Sequence, residues 1–106
     1  MTAREKSWQD VIPVADLEKE DVTAATVGRR ELAVYDAPDG IYVSVAHCNH
    51  NGADLRDGYF DRFIIECPLH QGCFDIRDGR PKGAPVTKPM KVFESRVKDG
   101  MVQILI

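Results

Sequence analysis

Two short stretches of the chain each combine one cysteine with one histidine. The first is Cys48-Asn49-His50, and the second, after sixteen intervening residues, is Cys67-Pro68-Leu69-His70. All three histidines of the 106-residue chain lie between positions 47 and 70, together with two of its three cysteines. Thiolates and imidazoles together are the ligands of zinc and of iron–sulfur clusters. The pattern therefore predicts a metal site built by two loops, with Cys48, His50, Cys67 and His70 as its ligands.

The spacing inside each stretch bears on which metal is bound. Side chains two residues apart in an extended segment point to the same side, about 6.6 Å apart at roughly 3.3 Å per residue. Cys48 and His50 can therefore face a binuclear cluster from one loop, while Cys67 and His70 reach it from the other. The alternative is a zinc-stabilised interaction module with no redox role. Structural zinc sites usually space their paired ligands more widely, so the spacing favours two irons.

Longer segments around these ligands resemble one known family. Residues 48–55 and 66–75, together with the run from Gly83 to Thr87, resemble the Rieske-type [2Fe–2S] ferredoxins of bacterial aromatic-ring-hydroxylating dioxygenase systems. In a Rieske centre two histidines replace two cysteines on one of the irons. The resemblance implies one Rieske-type [2Fe–2S] cluster. Cys48 and Cys67 would hold one iron, and His50 and His70 the other.

Short strand patterns separated by turn residues predict an all-β domain. The predicted strands are 22–27, 32–35, 41–45, 62–66, 92–97 and 101–105, with an edge strand around Trp8 and Val11-Ile12. The resemblance implies a Rieske-like antiparallel β-sandwich framework with a small inserted cluster-binding subdomain that carries both ligand loops. We expect one domain over residues 1–106, with the subdomain at 46–76.

The resemblance also implies a role. It indicates an electron-carrier component rather than an enzyme, passing single electrons from an NADH-dependent flavoprotein reductase to a terminal oxygenase in aromatic hydrocarbon catabolism. An oxygenase would itself need a mononuclear iron held by two histidines and a carboxylate. Once His50 and His70 are used, only His47 remains. A small Rieske subunit of an assimilatory nitrite reductase is the alternative within the same chemistry.

Composition bears on partners and compartment. A net charge of −3 argues against a nucleic-acid partner. No apolar run approaches the about 20 residues that a membrane-spanning helix needs, so no membrane partner is expected. Cys73 is the only cysteine left over, and the positions that match the loop disulfide of respiratory Rieske proteins are Ala53 and Leu69. We therefore expect a reducing cytoplasm as the compartment. We also expect the protein to be a monomer.

Two further expectations concern the surroundings of the cluster. High-potential members of the family place serine and tyrosine hydroxyls at positions that match Gly72 and Phe74, so the resemblance implies a low reduction potential. We expect residues 48–52 and 68–72 to form the contact face for both partners. The carboxylates of Asp54, Asp57 and Asp61 would steer the encounter from its rim.

Overall fold

The strands that the structure describes form three antiparallel sheets. A computed structural model describes residues 6–48, 52–68, 72–83 and 88–106. His50 and His70 lie outside the described residues, as do 84–87. The strands are β1 (Trp8–Pro13), β2 (Val22–Val27), β3 (Arg30–Ala37), β4 (Gly40–Val45), β5 (Tyr59–Asp61), β6 (Ile64–Glu66), β7 (Cys73–Asp75), β8 (Pro81–Gly83), β9 (Val92–Phe93), β10 (Ser95–Lys98) and β11 (Met101–Leu105).

Two of the sheets form a framework with a core between them. One has the order β1-β11-β10 and the other β2-β3-β4-β9. Residues two apart in sequence point to the same face of a strand. Leu32 and Val34 of β3 thus meet Val102 and Ile104 of β11 in one buried cluster. The predicted all-β antiparallel fold is confirmed.

The third sheet, in the order β5-β6-β7-β8, packs against the opposite face of β3. Ala33 and Tyr35 alternate with Leu32 and Val34 and lie in a second buried cluster, which also contains Phe60, Ile65 and Phe74 of the third sheet. Strand β3 is therefore buried on both faces and separates two cores. Its continuous apolar run, Leu32-Ala33-Val34-Tyr35, is what burial on both faces requires.

Several strand predictions are confirmed. Val22–Val27 is a strand with the predicted bounds, and the hairpin of β3 and β4 has longer strands than predicted, with Pro38 and Asp39 at its turn. The edge strand at the start of the chain extends over Trp8–Pro13. Within the described residues, no helix has the length and apolar character to cross a membrane.

The prediction of one strand over residues 92–97 is wrong. The segment breaks at Glu94 into two strands that belong to different sheets. Strand β9 pairs with β4, whereas β10 pairs with β11. The carbonyl of Glu94 accepts a hydrogen bond of 2.9 Å from the amide of Leu105, where the chain crosses between the sheets. No glycine or proline lies between Val92 and Val97, so the sequence gives no local signal of the crossing.

Candidate metal centre

The first loop, residues 46–54, leaves the end of β4 and returns to pair with itself. His47 and Asp54 form an isolated antiparallel bridge, and the amide of Leu55 donates to the carbonyl of Ala46 at 2.7 Å. Inside this bridge the amide of Cys48 donates to the carbonyl of Ala53 at 2.8 Å. The Cys48 residue is 3% exposed, so the loop directs it toward the core.

The second loop, residues 67–72, joins β6 to β7. The two strands pair antiparallel with Glu66 opposite Cys73, which brings the two ends of the loop together. The amide of Cys67 donates to the carbonyl of Gly72 at 2.7 Å. The Cys67 residue is 1% exposed.

The two loops are closed in the same way. In each, the amide of the predicted ligand cysteine donates to the carbonyl five residues later, Ala53 in the first loop and Gly72 in the second. In the first loop the amide of Gly52 also donates to the carbonyl of Cys48 at 2.8 Å, and Gly52 has φ +75°. Glycine adopts that conformation without steric cost.

Both loops place their cysteines in the same buried cluster. Cys48 and Cys67 belong to the same buried cluster, between β3 and the third sheet, and neither forms a disulfide. Two buried thiols in one cluster suit a soft metal site. Among the residues that the structure describes, no group of three or more metal-binding side chains is present. A complete ligand set would therefore use His50 and His70, which lie outside them. The donor set so formed, two thiols and two imidazoles, fits a Rieske cluster.

Each loop is followed by an aspartate–arginine pair with identical local geometry. Arg56 donates to Asp54 from its backbone amide, its Nε and its Nη2, at 2.9, 2.8 and 2.7 Å. Arg77 donates to Asp75 from the same three groups at 3.0, 3.0 and 2.7 Å. The hydrogen bonds from each arginine hold the pKa of its aspartate below the usual range. Sequence reasoning missed these pairs, although the repeated Asp-x-Arg spacing after each loop was a usable signal.

The apolar residue inside each of these pairs is fully buried. Leu55 lies between Asp54 and Arg56, and Ile76 lies between Asp75 and Arg77, each with 0% exposure. Both belong to the cluster that contains the two cysteines. A bidentate pair between the flanking residues fixes the backbone on both sides of the buried one. The pairs therefore anchor the chain where it leaves each loop.

The structure describes the three carboxylates that we expect to steer partners, Asp54, Asp57 and Asp61. Asp54 is bound by Arg56, so its charge is compensated. Asp61 pairs with Ile64 at the turn end of the β5–β6 hairpin, while Tyr59 pairs with Glu66 at the end that leads into Cys67. Asp57 remains exposed beside the first loop.

Cys73 lies just after the second loop and is half-buried. Desolvation raises the pKa of its thiol, and the negative charge of Glu66 raises it further. A thiol with a raised pKa carries little thiolate at neutral pH, and thiolate is the form that binds metal.

Comparison with known proteins identifies the fold and the cofactor. Residues 7–94 match the family model of the Rieske [2Fe–2S] domain. The ferredoxin subunit of anthranilate 1,2-dioxygenase from Burkholderia cepacia is 35% identical over 92% of this chain and 90% of its own length. The ferredoxin component of the naphthalene 1,2-dioxygenase system from Pseudomonas putida is 37% identical over 92% of this chain and 93% of its own.

A solved structure agrees with these relatives. It is a complex of reduced oxygenase and oxidised ferredoxin in carbazole 1,9a-dioxygenase, of which one chain matches at a TM-score of 0.82 with 37% identity. The match covers 92% of this chain and 91% of that one. The resemblance drawn from the two loops is thus confirmed. The chain belongs to the Rieske [2Fe–2S] domain family, as a Rieske-type ferredoxin.

Proposed function

We propose that this chain carries single electrons from an NADH-dependent flavoprotein reductase to a terminal aromatic-ring-hydroxylating oxygenase. The observation that supports it most directly is the burial of Cys48 and Cys67 in one cluster, each at a loop closed by the same backbone bond. Relatives of nearly equal length are named as ferredoxin components of dioxygenase systems, and one is solved with its oxygenase. The chain is an electron carrier rather than the catalyst.

We assign Cys48 and Cys67 to one iron and His50 and His70 to the other. When bound, a Rieske cluster accepts and returns one electron at a potential of roughly −150 to +300 mV. The chain's own residues bury the thiol side of the site. Cys48 and Cys67 lie under the loops, packed among Leu55, Ile65 and Phe74. An apolar environment on that side would restrict solvent access and so influence the reduction potential.

The proposal also includes the compartment, the exchange between two partners and the oligomeric state. None of the three cysteines, Cys48, Cys67 and Cys73, forms a disulfide, which suits a reducing compartment. The exchange of one carrier between two partners requires weak complexes with fast dissociation, which small interfaces provide. We further propose that the carrier acts as a monomer and as a single domain, whose cluster subdomain at residues 46–76 shares its sheet with β8.

The test of this function begins with the cofactor. Protein purified without oxygen should contain two irons and two acid-labile sulfides per chain. Cys48→Ser and Cys67→Ser should lose the visible absorption, whereas Cys73→Ser should retain it. One zinc per chain and no sulfide would favour the zinc-stabilised module and refute the assignment.

The second step measures electron transfer to and from the protein. The purified chain is mixed with a flavoprotein reductase and NADH, and the bleaching of the visible absorption is followed. A terminal oxygenase is then added in the absence of oxygen, and the return of the absorption reports transfer onward. Reduction without reoxidation by any oxygenase offered would contradict the proposed acceptor.

A further inference from the structure

Three exposed cations lie around the path by which the chain enters the first loop. Arg30 begins β3, Arg29 directly precedes it, and Lys91 directly precedes β9. The guanidinium carbon of Arg30 lies 5.9 Å from the centroid of the Phe93 ring, and the Nζ atom of Lys91 lies 5.6 Å from it. Among the described residues, the salt bridges involve other cations than these three. Their charge is available to a partner.

One acidic group, Glu31, lies beside these cations. A surface cavity of about 330 Å³ is lined by Arg29, Arg30, His47 and Phe93, with Glu31 as the acid among its described lining residues. The carboxylate of Glu31 lies 3.6 Å from Nε2 of His47 and 3.6 Å from Nη2 of Arg56. Arg56 also binds Asp54, so the four cations of this region and its two acids, Glu31 and Asp54, leave a local net charge of +2 (4 − 2).

This basic surface is joined to the metal centre through the backbone. The amide of Ala46 donates to the carbonyl of Glu31 at 3.2 Å, and the amide of Val45 donates to the carbonyl of Lys91 at 3.1 Å. Cys48 follows Ala46 by two residues, about 6.6 Å along an extended chain. The cations thus flank the strand end from which the first loop departs.

The opposite end of β3 carries the opposite charge. Glu20, Asp36 and Asp61 line a cavity of about 580 Å³, together with Arg62. An eight-residue strand separates the two ends by about 23 Å. The chain has a net charge of −3, yet its positive end lies beside the first loop. Such a charge separation orients a protein as it approaches a charged partner.

We propose that Arg29, Arg30 and Lys91 form the docking surface for a carboxylate-bearing surface of the electron-accepting oxygenase. This inference rests on the proposed function. Charge complementarity identifies the chemistry of the partner, because unlike charges steer the encounter and raise the on-rate. The acceptor is assigned as the partner because a relative 37% identical is solved in complex with the oxygenase of its system.

Charge reversal tests the surface with a matched control. Arg30→Glu and Lys91→Glu change the net charge by two units within the surface. Lys98→Glu makes the same change at an exposed lysine beside the turn between β10 and β11. Circular dichroism, iron and sulfide content should match wild type in all three variants. Comparison with Lys98→Glu then separates the effect of charge at this surface from the effect of the net charge of the protein.

Small ions report the potential beside the cluster without any partner. The reduced protein is oxidised in a stopped-flow instrument by anionic hexacyanoferrate(III) and by cationic hexaamminecobalt(III) at low ionic strength. The ratio of anion rate to cation rate should fall about fivefold in Arg30→Glu and Lys91→Glu, beyond any change in Lys98→Glu. The difference should disappear in 1 M salt, where the screening length is about 3 Å. Equal ratios in all three variants would overturn the inference.

Transfer to the oxygenase supplies the second measurement. At low ionic strength the second-order rate constant should fall about tenfold in Arg30→Glu and Lys91→Glu and stay near wild type in Lys98→Glu. Equal rates in the three variants would overturn the docking surface, and so would a slowing confined to reduction by the reductase. Failure to transfer electrons to any oxidant would instead refute the proposed function itself. The two failures are therefore distinguishable.

Discussion

The phenol oxygen of Tyr35 lies 2.8 Å from the hydroxyl oxygen of Ser44, and both side chains are fully buried. Ser44 donates its own hydrogen to the carbonyl of Val45 at 2.9 Å, so Tyr35 is the donor to Ser44. The ring of Tyr35 nevertheless packs in the cluster that contains Cys48 and Cys67. Its hydroxyl proton is directed at the framework rather than at the metal centre.

This direction predicts an asymmetry in stability. Ser44→Ala leaves the buried phenol of Tyr35 without its acceptor and should lower the free energy of unfolding by about 1–3 kcal/mol. Tyr35→Phe removes the donor but leaves Ser44 bonded to Val45, so it should cost about 0.5–1.5 kcal/mol. Urea unfolding monitored by circular dichroism measures both. A larger loss in Tyr35→Phe than in Ser44→Ala would contradict the donor assignment.

Hydroxyl placement also predicts reduction potentials. Phe74 is fully buried in the cluster with both cysteines and has no hydroxyl to donate. Phe74→Tyr should raise the midpoint potential, because a hydrogen bond to the site stabilises the added negative charge. Tyr35→Phe should leave the potential unchanged, since that phenol donates to Ser44. Redox titration followed by visible absorption compares the two, and an equal shift in both would refute this account.

The pair of Asp75 and Arg77 predicts a dependence of stability on pH. Hydrogen bonds from Arg77 lower the pKa of Asp75, whose side chain is 5% exposed. A carboxyl with a lowered folded-state pKa stabilises the fold above its unfolded pKa of about 3.9, and this contribution is lost as pH falls through the folded value. Asp75→Asn should therefore lower the free energy of unfolding by about 1–3 kcal/mol at pH 7. Below pH 4 the variant should lose less of its remaining stability than wild type does.

Asp78 provides the control for that experiment. It contacts Arg80 at 3.4 Å, but both side chains are exposed. Asp78→Asn should change the free energy of unfolding by about 0.5 kcal/mol or less. Unfolding in urea at several pH values compares the variants. If Asp75→Asn and wild type lose stability in parallel below pH 4, Asp75 does not have the lowered pKa.

A close backbone approach predicts the effect of two glycine substitutions. Gly79 has φ +81°, and its carbonyl accepts a 2.8 Å hydrogen bond from the amide of Met90. A Cβ added at Gly79 would overlap the carbonyl oxygen of Met90. Gly28 has φ +60° with open space around it. Gly28→Ala should cost about 1–2 kcal/mol from backbone strain alone. Gly79→Ala should cost about 2–5 kcal/mol, because overlap adds to strain. Equal losses in thermal unfolding would show that Met90 moves aside.

The sequence predicted the elements whose signal is local and missed those that depend on distant contacts. The hairpin of β3 and β4 was predictable because apolar strands flank a turn around Pro38-Asp39. The break at Glu94 was not, because the partner strands of β9 and β10 are set by the tertiary fold. For the site, the ligand spacing led to the correct family. The basic surface was missed because Arg30 and Lys91 are 61 positions apart (91 − 30) and meet only at Phe93.

The shared closure of the two loops has a consequence for how such a protein can change over time. In each loop the closing bond joins backbone atoms alone, from the amide of Cys48 to Ala53 and from that of Cys67 to Gly72. Side chains between these points, apart from the assigned ligands His50 and His70, can be replaced without removing the bond that closes the loop. Mutation can therefore change which side chains the loops offer to a partner, while the backbone bond that closes each loop is kept.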